Sequence, residues 1–323
     1  MTAPTVYRSD DASAPAIDGT AGSLIAALDA ILVNGYGAKS AAGWTKPYTG
    51  TNKAAFLQGA GLGHYLRVDD SDTRLSRVVG YGAMSDVDTG TNPFPTSGQF
   101  SGGLYCRKSI AASSTARPWV CIANDSAFYL FICGNRTGSI TYANFDGGDA
   151  HLGFGSLVNT RVSGDINASF LCAGSDTSAT STTAADTRQC LTALAAAAQA
   201  TLYLNGSYDQ GSSNSTQCYK RGARLSLVAT QQSGNTGNGG PQFPDPMTGG
   251  LLLYPMTVIE PTDIAVRGEL PGIRMLPHAY SGTGMANHMS IVEGRGASTG
   301  EQFLVVATGS FYCALFDLGD WDG

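Results

Sequence analysis

Residues 117–134 read RPWVCIANDSAFYLFICG, and this stretch carries the clearest fold signal in the chain. Two runs of aromatic and β-branched residues flank an Asn-Asp-Ser turn at 124–126, a pattern that is typical of a β-hairpin. The stretch therefore predicts two paired antiparallel strands. We expect their aromatic side chains to lie in the core: Trp119, Phe128, Tyr129 and Phe131.

Similar short runs of apolar residues extend outward from this hairpin in both directions. They cover residues 54–145 at intervals of about ten residues, separated by Gly, Pro or Asn-Asp, and they resume from residue 250. Only 14% of the residues are charged and 42 of 323 are glycine, which is typical of short strands joined by tight turns. The sequence predicts a mainly β fold, arranged as a β-sandwich or a barrel-like set of strands.

One short amphipathic helix is predicted near the N-terminus, at about residues 24–33. Its apolar residues recur at intervals of three and four, with Ser23 as the candidate cap and Asn34-Gly35 as the stop. We expect this apolar stripe to pack against a sheet or a neighbouring subunit. The stripe consists of Leu24, Ile25, Leu28, Ile31 and Leu32.

Three segments are distinguished along the chain. Residues 1–170 are interpreted as the helix plus a β domain, residues 171–240 as a variable, loop-rich segment, and residues 241–323 as a C-terminal β segment that could complete the same domain. The strand register of residues 171–220 is not predicted. Within them, LTALAAAAQATLYL at 191–204 is compatible with an Ala-rich helix running into a strand.

Charge and hydropathy argue against two classes of partner. The net charge is −6, the pI is near 5.1, and no Lys/Arg run offers the positive stripe that phosphate binding needs, so direct nucleic-acid binding is not expected. The apolar windows are too short or too interrupted to span a bilayer, and the N-terminus lacks the pattern of a signal peptide. No membrane partner is therefore expected.

Acidic residues provide the first candidates for chemistry. Asp88-Thr89-Gly90 matches the core triplet of aspartic proteases, but it runs into Thr91-Asn92-Pro93, which is interpreted as a turn, and the triplet itself is interpreted as a Gly turn capped by Asp. Three clusters could offer oxygen ligands to calcium, yet none has the EF-hand spacing. They are Asp69/Asp70/Asp72, Asp86/Asp88 and Asp146/Asp149.

Histidines and cysteines show no local metal motif either. His64, His151, His278 and His288 have no zinc spacing, and GAGLG at 59–63 lacks the dinucleotide-binding pattern. The odd set of seven cysteines contains no C-x-x-C pair and is interpreted as buried thiols: Cys106, Cys121, Cys133, Cys172, Cys190, Cys218 and Cys313. The sequence thus predicts no catalytic, cofactor-binding or metal site, and a fold that chelators leave unchanged.

Several longer strings resemble one family, the virion structural proteins of tailed phages of proteobacteria. They are VYRSDDASAPAIDGTAGSLIAALDAILVNGYGAK (6–39), GWTKPYTGTNKAAF (43–56), GYGAMSDVDTGTNPFP (80–95), RPWVCIAND (117–125), GGLLLYPMTVIEP (249–261) and RGELPGI (267–273). The resemblance is densest in the first 135 residues and thin between about 171 and 220. It implies membership of the particle and supplies no catalytic residues.

From this resemblance we expect a non-enzymatic virion component that assembles in the host cytoplasm as a symmetric homo-oligomer. Its partners would be copies of itself and other virion proteins, at the head-tail neck, the tail or the baseplate. A capsid decoration or receptor-binding module is the alternative. An envelope-degrading hydrolase is a less favoured alternative. The two carboxylates that such an enzyme needs can be far apart in the chain, so the lack of a local motif does not rule it out.

Overall fold

The computed structural model describes residues 2–140, 149–173, 199–207, 215–219, 244, 247, 249–260, 265–275, 288–307, 313–319 and 321. The fold is mainly β, with one short helix near the N-terminus. In chain order the elements are β1 (Thr5–Arg8), α1 (Ser23–Leu28), a π-helical turn (Asp29–Asn34), β2 (Thr45–Gly50), β3 (Lys53–Leu57), β4 (Tyr65–Asp69), β5 (Leu75–Asp86), β6 (Thr89–Phe94), β7 (Leu104–Arg107), β8 (Trp119–Ala123), β9 (Ala127–Ile132), β10 (Ala150–Ser156), β11 (Ser169–Ala173), β12 (Gln199–Leu204), β13 (Ser215–Tyr219), β14 (Tyr254–Glu260), β15 (Ala265–Met275), β16 (Ile291–Glu293), a 3₁₀ turn (Gly296–Ser298), β17 (Gln302–Ala307) and β18 (Cys313–Asp317).

The predicted hairpin is confirmed. Strands β8 and β9 pair antiparallel, and the Asn124 side chain closes the turn by accepting hydrogen bonds from the amides of Ser126 (3.0 Å) and Ala127 (2.9 Å). The four aromatic side chains predicted for the core, Trp119, Phe128, Tyr129 and Phe131, are fully buried.

Two antiparallel sheets account for the described strands. The larger has twelve strands in the order β1-β8-β9-β10-β11-β12-β13-β14-β15-β18-β17-β16, and the smaller has the order β2-β3-β4-β5-β6, with β7 also paired to β5. The larger sheet takes strands from all three predicted segments of the chain, and β11 crosses the predicted boundary between residues 170 and 171.

In the larger sheet, strands β8 to β11 are buried on both faces, which explains why β8 and β9 are apolar at every position. Successive side chains of a strand point to opposite faces, so Trp119 and Cys121 enter one core while Val120 and Ile122 enter the other. The first core lies between the larger sheet, the smaller sheet and α1. The second is enclosed by strands from both ends of the larger sheet, which curls into a half-barrel.

The helix forms where the sequence predicts it, but its start and its second half differ. Ser23 is the first helical residue rather than the cap; Gly22 precedes it with φ 85°, and the carboxylate of Asp70 accepts hydrogen bonds from the amides of Leu24 (2.8 Å) and Ile25 (3.4 Å). After Leu28 the chain continues as the π-helical turn. Four of the five predicted stripe residues are buried and Ile25 is partly buried against the same core.

Every other predicted run that lies among the described residues coincides with a strand. The runs at 54–58, 64–70, 74–84, 103–110, 250–260, 303–309 and 311–318 overlap β3, β4, β5, β7, β14, β17 and β18. Residues 91–93, interpreted as a turn, lie instead in β6. Residues 199–204 form β12, whereas residues 191–198 lie outside the described part. Among the described helices, none is long and apolar enough to cross a membrane.

Candidate functional site

A thiol, a carboxylate and an imidazole meet at one end of the second core. Cys133 follows β9 and Asp149 precedes β10, and these strands pair with Ile132 opposite Ala150. One step further along the ladder therefore places Cys133 across from Asp149, at the short distance of facing residues. His288 arrives from the C-terminal part of the chain, where the amide of the next residue, Met289, donates to the carbonyl of Val305 in β17 (2.8 Å).

The three side chains are close enough to share a ligand. One ligand atom from each, the sulfur of Cys133, a carboxylate oxygen of Asp149 and a ring nitrogen of His288, lie within 4.8 Å of one another. All three residues have 0% of their surface exposed. We call these three residues the Cys-Asp-His cluster.

Two neighbours shape the electrostatics of the Cys-Asp-His cluster. Arg136 Nη2 lies 3.7 Å from Asp149 Oδ2, and Met289 Sδ lies 3.7 Å from Cys133 Sγ. Burial, assisted by the positive charge of Arg136, lowers the pKa of His288 to about 3. His288 is therefore neutral at physiological pH, which is the form of imidazole that binds metals.

The composition of the cluster favours some chemistries over others. Thiolate, imidazole and carboxylate are the three ligand types that zinc uses, whereas calcium takes oxygen ligands. A Cys-His-Asp set can also serve nucleophilic catalysis, but a nucleophile must reach its substrate, and Cys133 is fully buried. The arrangement therefore suits a buried ion better than a reaction centre.

The Asp69/Asp70/Asp72 cluster predicted from sequence does not converge on a common point. Asp69 accepts from Ser71 and pairs with Arg67, and Asp72 accepts from the amides of residues 74 and 75. Asp70 instead turns into the protein, where it meets Lys108 and the start of α1. Each carboxylate thus has a separate structural role.

Asp86 ends β5 and pairs with Thr89, so Val87 and Asp88 form the two-residue turn that joins β5 to β6. Of the Asp88-Thr89-Gly90 triplet, Asp88 lies in this turn as interpreted, whereas Thr89 and Gly90 begin β6. The Asp88 carboxylate forms ion pairs with Lys53 (2.9 Å) and Arg67. Asp146 lies outside the described residues, while its predicted companion Asp149 belongs to the Cys-Asp-His cluster.

The remaining histidines are packed into the interior. His64 and His151 are buried, and burial lowers the pKa of His64 to about 4 and that of His151 to about 3. His278 lies outside the described residues. In the 59–63 loop, the amide of Leu62 donates to Ser156 Oγ (3.2 Å), so this Gly-rich segment is tied to the larger sheet.

Four cysteines confirm the interpretation as buried thiols, since they are buried and form no disulfide bond: Cys106, Cys121, Cys133 and Cys172. Burial raises the pKa of Cys106 to about 12 and that of Cys121 well above its ordinary value. Cys190 and the side chains of Cys218 and Cys313 lie outside what the structure describes.

Sequence reasoning considered every member of the Cys-Asp-His cluster but did not bring the three together. Motif searches depend on regular local spacing, and these residues come from three distant parts of the chain. The adjacency of Cys133 and Asp149 becomes visible once β9 and β10 are known to pair. No comparable sequence signal connects either residue to His288.

Comparison with models of known protein families, with curated proteins and with solved structures found no match for this chain.

Proposed function

We propose that this protein is a non-enzymatic structural component of a tailed-phage virion. It assembles in the host cytoplasm as a symmetric homo-oligomer and takes its place at the head-tail neck, the tail or the baseplate. Its partners are further copies of itself and other virion proteins.

The proposal is carried by the correspondence between the resembling strings and the framework of the fold. Residues 6–39, 43–56 and 80–95 contain α1, the π-helical turn and much of the smaller sheet, and residues 117–125 contain β8. These elements share one core against a single face of the larger sheet. The resemblance to virion proteins is therefore concentrated in a packed scaffold, as a building block requires.

Buried charged groups support the same proposal, because they form ion pairs and hydrogen bonds between strands and loops of the larger sheet. Arg267 in β15 is fully buried and forms ion pairs with Asp165 (2.8 Å) and with Glu260 of β14 (2.8 Å). The same guanidinium donates to the carbonyl of Gly206 (2.9 Å), next to β12. A subunit under load in an assembly benefits from such cross-links between strands and loops.

The decisive experiment is mass spectrometry of particles of a phage that encodes this chain, purified through two density gradients. We expect to detect the protein together with the major capsid protein. Its copy number per particle should be a whole multiple of the order of the rotational symmetry at its position. Its absence from infectious particles contradicts the proposal. A soluble host protein of similar abundance in the lysate is the control for carry-over.

A reconstruction of the same particle separates the remaining alternatives. Density for the twelve-stranded sheet in a ring at the neck, tail or baseplate supports the proposal, whereas density on the capsid surface or at a fibre tip favours the decoration or receptor-binding role. Incubation of the purified chain with host cell envelopes tests the hydrolase alternative, and we expect no release of soluble sugars or peptides.

A further inference from the structure

We propose that the Cys-Asp-His cluster binds one Zn²⁺ ion, held by Cys133 Sγ, a carboxylate oxygen of Asp149 and a ring nitrogen of His288. The inference does not depend on the proposed function, since a structural ion fits a virion subunit and any other β protein equally well.

The ligand set selects the ion. A thiolate excludes the hard cations calcium and magnesium, which take oxygen ligands, while sulfur, nitrogen and oxygen together are ordinary zinc ligands. A thiolate and a carboxylate carry two negative charges, which balance the two positive charges of Zn²⁺ inside a core where an uncompensated charge is costly. A histidine ligand contributes a neutral ring nitrogen. The ion and its three ligands together carry no net charge.

The geometry is within reach of coordination. Zinc ligands stand about 2.0–2.3 Å from the ion, so two ligand atoms of a tetrahedral site are about 3.5 Å apart. The three atoms of the cluster lie within 4.8 Å of one another. Small rotations of the three side chains would bring the atoms to this distance, and the pairing of β9 with β10 keeps the backbones of Cys133 and Asp149 beside each other.

Two neighbours of the cluster are of the kind that surrounds zinc ligands. The Arg136 guanidinium, 3.7 Å from Asp149 Oδ2, orients that carboxylate as outer partners of zinc ligands commonly do. Met289 Sδ, 3.7 Å from Cys133 Sγ, adds a polarizable sulfur beside the site. Arg136 is therefore a positioning residue, whereas Cys133, Asp149 and His288 are the ligands.

The ion would join two distant parts of the larger sheet. Cys133 and Asp149 belong to the β9–β10 end, whereas His288 precedes β16, the last strand at the far end of the strand order. A bond of each to one ion cross-links these regions through the second core. Zinc should therefore stabilise the folded chain by preferring it over the unfolded one.

The test begins with the full-length chain, stripped of metal by a chelator under reducing conditions and titrated with Zn²⁺ alone. We expect one ion per chain by plasma mass spectrometry after dialysis, and a melting temperature several degrees above that of the stripped protein. Titration with Co²⁺ adds a spectroscopic readout, because a cobalt-bound thiolate absorbs in the near ultraviolet and a tetrahedral cobalt ion absorbs strongly in the visible region.

Matched variants assign the signals to the cluster. Cys133→Ser and His288→Gln should lose the bound ion, and Cys133→Ser should also lose the thiolate absorption. Cys172→Ser and His151→Gln make the same changes at equally buried positions outside the cluster and should keep both. Arg136→Gln should retain one ion with an affinity about 10–100-fold weaker, as expected for an outer partner.

Two outcomes overturn the proposal. The first is a parent chain that retains no zinc and shows no cobalt-thiolate absorption, and this result needs no variant to fold. The second is Cys133→Ser protein with the stoichiometry and cobalt spectrum of the Cys172→Ser control.

Discussion

Asp69 and Asp70 are neighbours in the chain, yet they belong to two opposite kinds of charged region. Asp69 ends β4 on the outer surface, where it joins a group of partly exposed ion pairs with Lys53, Arg67 and Asp88. Asp70 points inward, and neither its side chain nor that of Lys108 has any exposed surface. We call the first group the surface charge cluster and the second the buried pair.

The buried pair holds three elements at one point. The Asp70 carboxylate accepts from the amide of Leu24, from Ser76 Oγ (2.6 Å) in β5 and from Lys108 Nζ. Lys108 Nζ also donates to the carbonyl of Thr20 (2.5 Å). Burial raises the pKa of Asp70, and its hydrogen bonds with Lys108 and Ser76 oppose this effect.

The number of charged groups in a region therefore says little about how much they contribute to the stability of the fold. In the surface charge cluster, water replaces any partner that is lost, whereas in the buried pair a lost partner leaves a charge in a medium that cannot solvate it. Substitutions in the buried pair should therefore cost more stability than the same substitutions in the surface charge cluster.

Lys108→Met should have the largest effect. The change removes the cation but keeps most of the apolar stem, and it leaves Asp70 buried without a compensating charge. We expect a loss of about 3–5 kcal/mol in the free energy of unfolding, measured by denaturant titration.

The double variant Asp70→Asn with Lys108→Met should recover part of that loss, because the remaining buried group is then neutral. If Lys108→Met unfolds at the same denaturant concentration as the parent, the two side chains are not buried together and the comparison fails.

Leu28→Ala should follow closely. Leu28 is fully buried at the end of α1, the helix that Asp70 caps, and truncating a buried leucine costs about 2–5 kcal/mol through lost transfer energy and cavity formation. Thermal unfolding measures the effect, which should also reduce soluble yield. Asp29→Ala is the control on the adjoining face, and loss of its partly exposed contact with Lys46 should cost at most about 1 kcal/mol. Parent-like melting of Leu28→Ala would show that the stripe is not buried.

The pH dependence of stability should reveal a buried ionisable group without a charged partner. The pKa of His64 is about 4 in the folded protein, against about 6.5 in an unfolded chain, so the unfolded state binds more protons between these values. Stability from this group is complete above pH 6.5 and falls on acidification, by about 3 kcal/mol at pH 4.

Denaturant titrations of the parent and of His64→Gln from pH 7 to pH 4 isolate the contribution of His64 to the pH dependence of stability. The other buried histidine, His151, is present in both proteins and affects both alike. The parent should lose more stability than His64→Gln on acidification. Parallel stability curves for the two proteins would mean that His64 is accessible to protons in the folded state.

Lys53→Met should have the smallest effect and serves as the matched control for Lys108→Met. The Lys53 side chain is 29% exposed, and its partner Asp88 keeps its contact with Arg67. We expect a change of at most about 1 kcal/mol, which high salt reduces further. A loss as large as that of Lys108→Met would remove the distinction between the two regions.

Much of the fold was accessible from sequence because its signals are local. The alternation of apolar runs and turn residues predicted the mainly β class, and the residues of the 117–134 stretch predicted a hairpin whose aromatics are buried. The helix was predicted from its apolar periodicity, but its cap was assigned to Ser23. The actual acceptor is Asp70, which lies 46 residues from Leu24 and cannot be identified by inspecting the helix itself.

The candidate site illustrates the same limit more strongly. The sequence offers Cys133, Asp149 and His288 as separate candidates. None of the three lies in a local motif with the spacing of a known metal site. Pairing of β9 with β10 brings Cys133 and Asp149 together. The curling of the larger sheet brings His288 to the same place. Neither event leaves a periodic pattern in the chain.

Local preferences in the sequence were enough to predict many of the strands, the buried aromatic side chains of the 117–134 stretch and the turn between them, because these preferences act between residues close in the chain. Tertiary structure alone decided that Asp70 is buried while Asp69 is not, that a distant carboxylate caps α1, and that a thiol, a carboxylate and an imidazole share one site. The physical reason is that burial and charge compensation depend on every group within a few ångströms, wherever it stands in the chain.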